Sequence, residues 1–255
     1  MPRTTPGTVW RRPEFTIWSY LLRRMHGVYV DSYCERIAPG LWNEPLNAVS
    51  NVAFLVAAAV LFALLARRPV PPPFSLWLPP ALTAVVGVCS WTFHMAATTP
   101  TAALDSLSIL LFILVSVVVL IHWRWRVRWS WAWPAAPAFV AGAAAVNAVL
   151  FTVGGDRATL GGYLPALLAL VGFGLAATRP PRPGPATAPP VGSAPGRILL
   201  TAAAVFAASL TFRTIDAPIC TAIPIGTHFL WHCLNAVVLF LVGYAIVRSH
   251  EPSAP

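Results

Sequence analysis

The stretch "IGTHFLWHCLNAVVLFLVGYAIV" (residues 225–247) contains no Asp, Glu, Lys or Arg. A helix of about 20 apolar residues crosses the hydrocarbon core of a bilayer, so this stretch predicts a transmembrane helix. His228 and His232 stand four residues apart near its start and therefore share one helical face. Ionisable side chains inside a span are energetically costly, and this pair indicates a functional site.

The rest of the chain has the same apolar character. Of its 255 residues, 57% are hydrophobic and 10% charged, and the mean hydropathy is +0.70. Runs of about 18 or more uncharged residues predict membrane spans. The predicted spans are residues 47–66, 75–97, 103–122, 131–152, 158–177, 198–214 and 225–247. The sequence thus predicts an all-α integral membrane protein, with a seven-helix bundle over residues 46–248.

The two ends of the chain are predicted to lie outside the bundle, as an N-terminal segment over 1–45 and a C-terminal tail over 249–255. The N-terminal segment carries several arginines and acids and lacks the apolar core of a cleavable signal peptide. Its stretch "EFTIWSYLLRRMHGVYV" (14–30) is typical of an amphipathic helix lying on lipid headgroups.

The arginines predict the orientation of the bundle. All 17 basic residues are arginine, and those near the predicted spans lie mostly on the side of the C-terminus, among them Arg67, Arg124 and Arg248. The positive-inside rule therefore predicts a cytoplasmic C-terminus and an extracytoplasmic N-terminus. Because the arginines are scattered over loops, nucleic-acid binding is not indicated, and lipid phosphates are the expected counter-charges.

Two further ionisable residues join the histidine pair. His94 ends the second predicted span and Asp105 begins the third, so with His228 and His232 they are expected in one leaflet. Three neutral imidazoles with an open fourth position describe a catalytic zinc site, and coordination satisfies the lone pairs of buried imidazoles. Ser90 lies one turn from His94 on the same helix. Haem ligation stays open as an alternative, although a carboxylate in the same layer favours hydrolysis.

Several motifs together resemble one family. "CSWTFHMAATTPTAALDSL" (89–107) carries Ser90, His94 and Asp105, and "THFLWHCLNA" (227–236) carries the histidine pair. This order and spacing resemble the signature of the alkaline ceramidases and their superfamily, which includes the adiponectin-receptor-like proteins. "DSYCERIAPGLWNEPLNAVSNVAFL" (31–55) and "RTIDAPIC" (213–220) are similar to the ceramidase branch in particular. The resemblance runs from about residue 30 to 245.

The resemblance implies a seven-helix zinc-dependent amidase that hydrolyses the N-acyl bond of ceramide or a related N-acyl lipid. It implies that His94, His228 and His232 hold zinc and that Asp105 orients and deprotonates the attacking water. Ser90 is implied to bind this water or the developing oxyanion. The predicted depth of the site, one or two turns below the membrane surface, suits an amide next to a lipid headgroup.

The resemblance also implies two features of the N-terminal segment. One is a calcium site built from Asp31, Glu35 and Glu44. Here Asp31 stands three residues before Cys34, where the family has its Asp two before, and a solvated acidic loop stays an equal alternative. The other feature is a disulfide between Cys34 and Cys220, which an extracytoplasmic location permits.

Two functional classes remain as alternatives to an amidase. One is a receptor-like or transport-like member of the same superfamily with a structural metal, and the other is a haem or quinone protein. The open coordination position, together with Asp105 and Ser90, favours chemistry over a structural metal, because structural zinc sites are closed by a fourth protein ligand.

Overall fold

The computed structural model describes residues 28–158, 160–179 and 192–250. This part of the chain is predominantly helical and has no strand, apart from an isolated antiparallel bridge between Tyr29 and Thr98. The amphipathic helix predicted over 14–30 lies almost entirely outside the described residues.

Nine α-helices follow one another in the described ranges. They are α1 (Pro45–Ser50), α2 (Val52–Ala66), α3 (Leu78–Ala96), α4 (Thr99–Trp125), α5 (Trp129–Ala132), α6 (Ala135–Ala158), α7 (Leu164–Thr178), α8 (Ala194–Ile215) and α9 (His228–His250).

The described residues include six helical segments that are long and apolar enough to cross a membrane, which supports a multi-pass membrane protein. They are Pro45–Ala66, Phe74–Ala96, Thr99–Trp125, Trp129–Gly155, Ala194–Ile215 and His228–His250. The span predicted over 158–177 corresponds to α7, whose 15 residues give a length of only about 22 Å. The hydrocarbon core is about 30 Å thick, so the seven-span topology stays a prediction, as does the side of each terminus.

Helix α9 lies at the centre of the bundle and packs against α8, α2 and α4. Of the most apolar part of His228–His250, 61% is buried inside the protein, against none of Trp129–Gly155. Gly243 permits the close approach of α2, because a Cβ there would lie 2.7 Å from Leu61 Cδ1. His228 and His232 of this helix are therefore buried within the protein.

A tight turn brings the ends of α3 and α4 together. Ala97 ends α3 in a left-handed conformation, and Thr98 begins α4 with a capping box to Thr101. Helix α4 starts earlier than the predicted span, which places Asp105 in its second turn rather than its first. His94 and Asp105 consequently lie at one end of the bundle, here called the histidine end.

Candidate metal centre

The three predicted zinc ligands gather at the histidine end. One nitrogen from each of His94, His228 and His232 lies within 4.8 Å of the other two, and all three side chains are buried. The ring centroid of His232 lies 4.6 Å from that of His94 and 4.6 Å from that of His228, and the centroids of His94 and His228 are 5.2 Å apart. Rings this close leave no room for a haem between them, so the haem alternative gains no support.

His94 is oriented by a carboxylate. Its Nδ1–H donates to Glu44 Oε2 over 2.5 Å, because an ionised carboxylate only accepts. His94 Nε2 is left buried without a hydrogen-bond partner among the described residues. A buried nitrogen with a free lone pair is the state that a metal ligand requires, and a carboxylate on the other nitrogen is the usual support for such a ligand.

His232 is oriented by a hydroxyl. Ser50 Oγ donates its proton to the carbonyl of Asn47 over 2.8 Å, so it accepts from His232 Nδ1–H, which is also 2.8 Å away. This arrangement fixes the tautomer and leaves His232 Nε2 with the lone pair.

His228 is held by its backbone and by ring stacking. Its backbone N–H and that of Thr227 donate to Asp216 Oδ1 over 2.9 and 2.6 Å, so this carboxylate caps the start of α9. The Tyr33 ring stacks on the imidazole with centroids 3.5 Å apart. His228 Nδ1 is buried and has no hydrogen-bond partner in the described ranges. The three histidines therefore suit a divalent metal ion.

The N-terminal segment is fastened over this cluster. The predicted disulfide is confirmed, with Cys34 and Cys220 bonded and their Cα atoms 5.1 Å apart. Asp216 Oδ2 also accepts from the backbone N–H of Cys34 over 3.0 Å. Tyr33, next to Cys34, is thereby pressed against His228.

Arg36 compensates the buried charge of Glu44. Its guanidinium is fully buried, pairs with Glu44 Oε1 and donates to the carbonyl oxygens of His94 at 2.7 Å and Gly40 at 3.2 Å. Burial opposes ionisation of Glu44, but hydrogen bonds from His94, Arg36 and Asn47 outweigh it and hold the pKa of this carboxyl below its ordinary value. Glu44 is therefore ionised at neutral pH.

The structure gives the calcium prediction no support, because the acidic residues have other partners. Glu44 binds Arg36 and His94, while Glu35 accepts from the backbone N–H groups of Leu46 and Asn47 over 2.6 and 2.8 Å. Asp31 is exposed. Within the described ranges, the three histidines are the one group of His, Cys, Asp or Glu able to hold a metal. Carboxylates suit calcium, but a neighbouring guanidinium satisfies them equally well, so the calcium site stays a prediction.

Asp105 and Ser90 lie beside the cluster and, with His232, line one end of a cavity. The Ser90 hydroxyl is next to the Asp105 carboxylate. Asp105 Oδ1 is buried and accepts no hydrogen bond from the described residues. The structure thus places a carboxylate oxygen with accepting capacity in the cavity that His232 also lines.

The cavity extends from the histidine end into the bundle and measures about 940 Å³, the space open to the surroundings included. On α4 its lining follows one helical face from Asp105 through Ile109, Phe112 and Ser116 to Leu120. This face is about 22 Å long at the helical rise of 1.5 Å per residue. Below the histidine end the lining is apolar except for Ser116 and Asn235, so this part of the cavity suits an apolar ligand.

A family model described as Ceramidase matches residues 32–253, nearly the whole chain. Comparison with curated proteins gave no match. Because the family model covers far more than half of the sequence, the chain belongs to the ceramidase family.

Proposed function

We propose that this member of the ceramidase family is a zinc-dependent hydrolase that cleaves the N-acyl bond of ceramide or a related N-acyl lipid. One observation carries the proposal: three buried imidazoles lie close enough together to hold a metal ion, at the polar end of a long apolar cavity whose lining includes a carboxylate. The family implies a lipid substrate and an amide bond. The geometry supports an arrangement with the amide at the histidines and the acyl chain in the apolar cavity.

His94, His228 and His232 would hold the ion. A bound zinc ion lowers the pKa of water to about 7 and polarises the amide carbonyl. Glu44 and Ser50 keep two of the imidazoles in the required tautomer, and Tyr33 holds the third ring in place.

Asp105 is proposed as the general base and then the general acid. Its unpaired oxygen accepts a proton from the attacking water while the water oxygen bonds to the amide carbon. The same carboxyl returns the proton to the leaving nitrogen as the C–N bond breaks. Once Asp105 has taken the proton of the water, the Ser90 hydroxyl beside it no longer needs to donate to that carboxylate and donates to the carbonyl oxygen as it gains charge. The products are a fatty acid and a free amine.

We further propose that the histidine end faces the extracytoplasmic side and that α7 completes a seven-span topology. The arginine distribution supports the orientation. The Cys34–Cys220 disulfide also lies at this end, and disulfides persist in oxidising compartments.

The test is hydrolysis of N-acyl lipids by the purified protein in detergent, with products quantified by mass spectrometry. We expect turnover to stop after treatment with a zinc chelator and to return on adding zinc. His228→Ala should bind less than one-tenth of the wild-type zinc content and show no turnover. A metal-free wild-type protein that keeps full activity would refute the proposal.

A further inference from the structure

We infer that Arg213 forms an anion-binding subsite beside the histidine cluster, which selects N-acyl lipids bearing a carboxylate or phosphate close to the scissile amide. The inference rests on the proposed function for the amide, but the subsite itself rests on the surroundings of Arg213.

Arg213 lies in the last turn of α8, at the histidine end of the bundle. Its guanidinium carbon is 5.1 Å from the ring centroid of Tyr163 and 5.6 Å from that of Trp231. Both aromatic rings line the cavity. The guanidinium is thus held by two cation–π contacts against two rings that form part of the cavity wall.

The charge of Arg213 reaches the reacting groups. It interacts electrostatically with Asp105, His228 and Tyr33, all of which belong to or contact the site. A ligand whose amide lies at the histidines would therefore present its nearest substituents to this guanidinium.

Arg213 and Arg36 differ in how their donors are used. Arg36 binds a carboxylate and backbone carbonyls, whereas no carboxylate, carbonyl or hydroxyl among the described residues accepts a hydrogen bond from Arg213. Arg213 is half-buried, and a partly desolvated cation is stabilised by an anionic partner. Its planar fork of donors fits the paired oxygens of a carboxylate or phosphate.

The position of the charge indicates the ligand. An N-acyl amino acid carries its carboxylate one carbon from the amide nitrogen, and a phosphorylated sphingoid headgroup carries its phosphate slightly farther away. Neutral ceramide offers only hydroxyl groups there, which leave the cation uncompensated.

The experiment compares matched substrate pairs that differ only in charge. N-palmitoylglycine is compared with N-palmitoylethanolamine, and ceramide 1-phosphate with ceramide, by kcat/KM in neutral detergent micelles. We expect wild-type protein to prefer the anionic member of at least one pair about tenfold or more, the usual size of a charged hydrogen-bond contribution. Arg213→Gln should reduce that preference about tenfold, and Arg213→Lys should retain part of it. The favoured pair shows whether a carboxylate or a phosphate is recognised.

Arg197→Gln is the matched control, because Arg197 is exposed in the first turn of α8, at the opposite end of the same helix. Its substrate preference should equal that of wild type. Binding of the same pairs, measured by calorimetry, separates the two hypotheses. Anion-selective binding that Arg213→Gln abolishes, without turnover of any substrate, would refute the hydrolase and keep the subsite. Equal binding of charged and neutral lipids, or a preference unchanged in Arg213→Gln, would refute the subsite. Arg213 would then interact only with the headgroups of the surrounding lipids.

Discussion

The two sides of the histidine cluster are built in different ways. On the outer side, residues 33–50 and Asp216 hold the imidazoles through hydrogen bonds, a buried ion pair, a stacked ring and a disulfide. On the inner side, the cavity between α4, α7 and α9 is lined mostly by aliphatic and aromatic side chains.

Under the proposed function, the difference follows from what each side recognises. A metal ion requires nitrogen lone pairs at fixed positions, and directional hydrogen bonds fix them. A lipid chain requires only apolar surface, whose contribution is non-directional and grows with the area buried. Changes on the outer side should therefore have larger effects than changes on the inner side, with the reacting groups between them the most sensitive of all.

The largest effect is expected from Asp105→Asn, which changes a proposed reacting group between the two sides. An amide cannot accept the proton of the attacking water, so kcat should fall by about 10²–10⁴ while the zinc content stays at the wild-type level. Steady-state kinetics and elemental analysis of the same preparation measure both. Asp31→Asn, an exposed change of the same chemistry, should leave both unchanged. An Asp105→Asn protein with near wild-type kcat would remove this residue from the mechanism.

The sequence predicted the residues at the centre of the site better than the residues that hold them in position. His94, His228, His232, Asp105 and Ser90 stand out because polar residues are rare in apolar helices, and helical spacing places them at one level. Tyr33, Arg36 and Ser50 gave no such signal. Tyr33 and Arg36 lie in a segment without periodicity, and a serine near a helix start is ordinary, so only the folded chain shows that they contact the histidines or their partners.

Helix α7 shows the same limit for the fold. The apolar run over 158–177 has the length of a span, but Leu160–Gly162 forms a tight turn with positive φ at Leu160 and Gly162. Gly162 adopts this conformation without steric penalty. Because the turn occupies these residues, the helix begins only after them and is shorter than the apolar run. Hydropathy alone counts these residues as part of the span.

The next largest effect tests the outer side. Glu44→Gln keeps the shape of the side chain but weakens its bond to His94 Nδ1 and leaves Arg36 without its counter-charge. We expect zinc affinity to fall about 10–100-fold, the usual result of removing such a carboxylate. Competition with a chelator of known affinity at constant pH measures it. Glu35→Gln is the matched control, because Glu35 binds backbone N–H groups of α1 instead of a histidine. Equal zinc affinities in the two variants would mean that Glu44 only stabilises the fold.

The smallest effect tests the inner side. Val117 lines the cavity about 18 Å along α4 from Asp105, so Val117→Phe should block the end of a long acyl chain and spare a short one. The displaced end can bend towards lipid, so the loss should be about 1 kcal/mol, roughly that of one buried methylene. The ratio of kcat/KM for palmitoyl and octanoyl substrates should fall about fivefold. Leu111→Phe, on the exposed face of the same helix, should not change the ratio. An unchanged ratio in Val117→Phe would show that the acyl chain leaves the site by another route, because a chain in this cavity cannot pass the added ring.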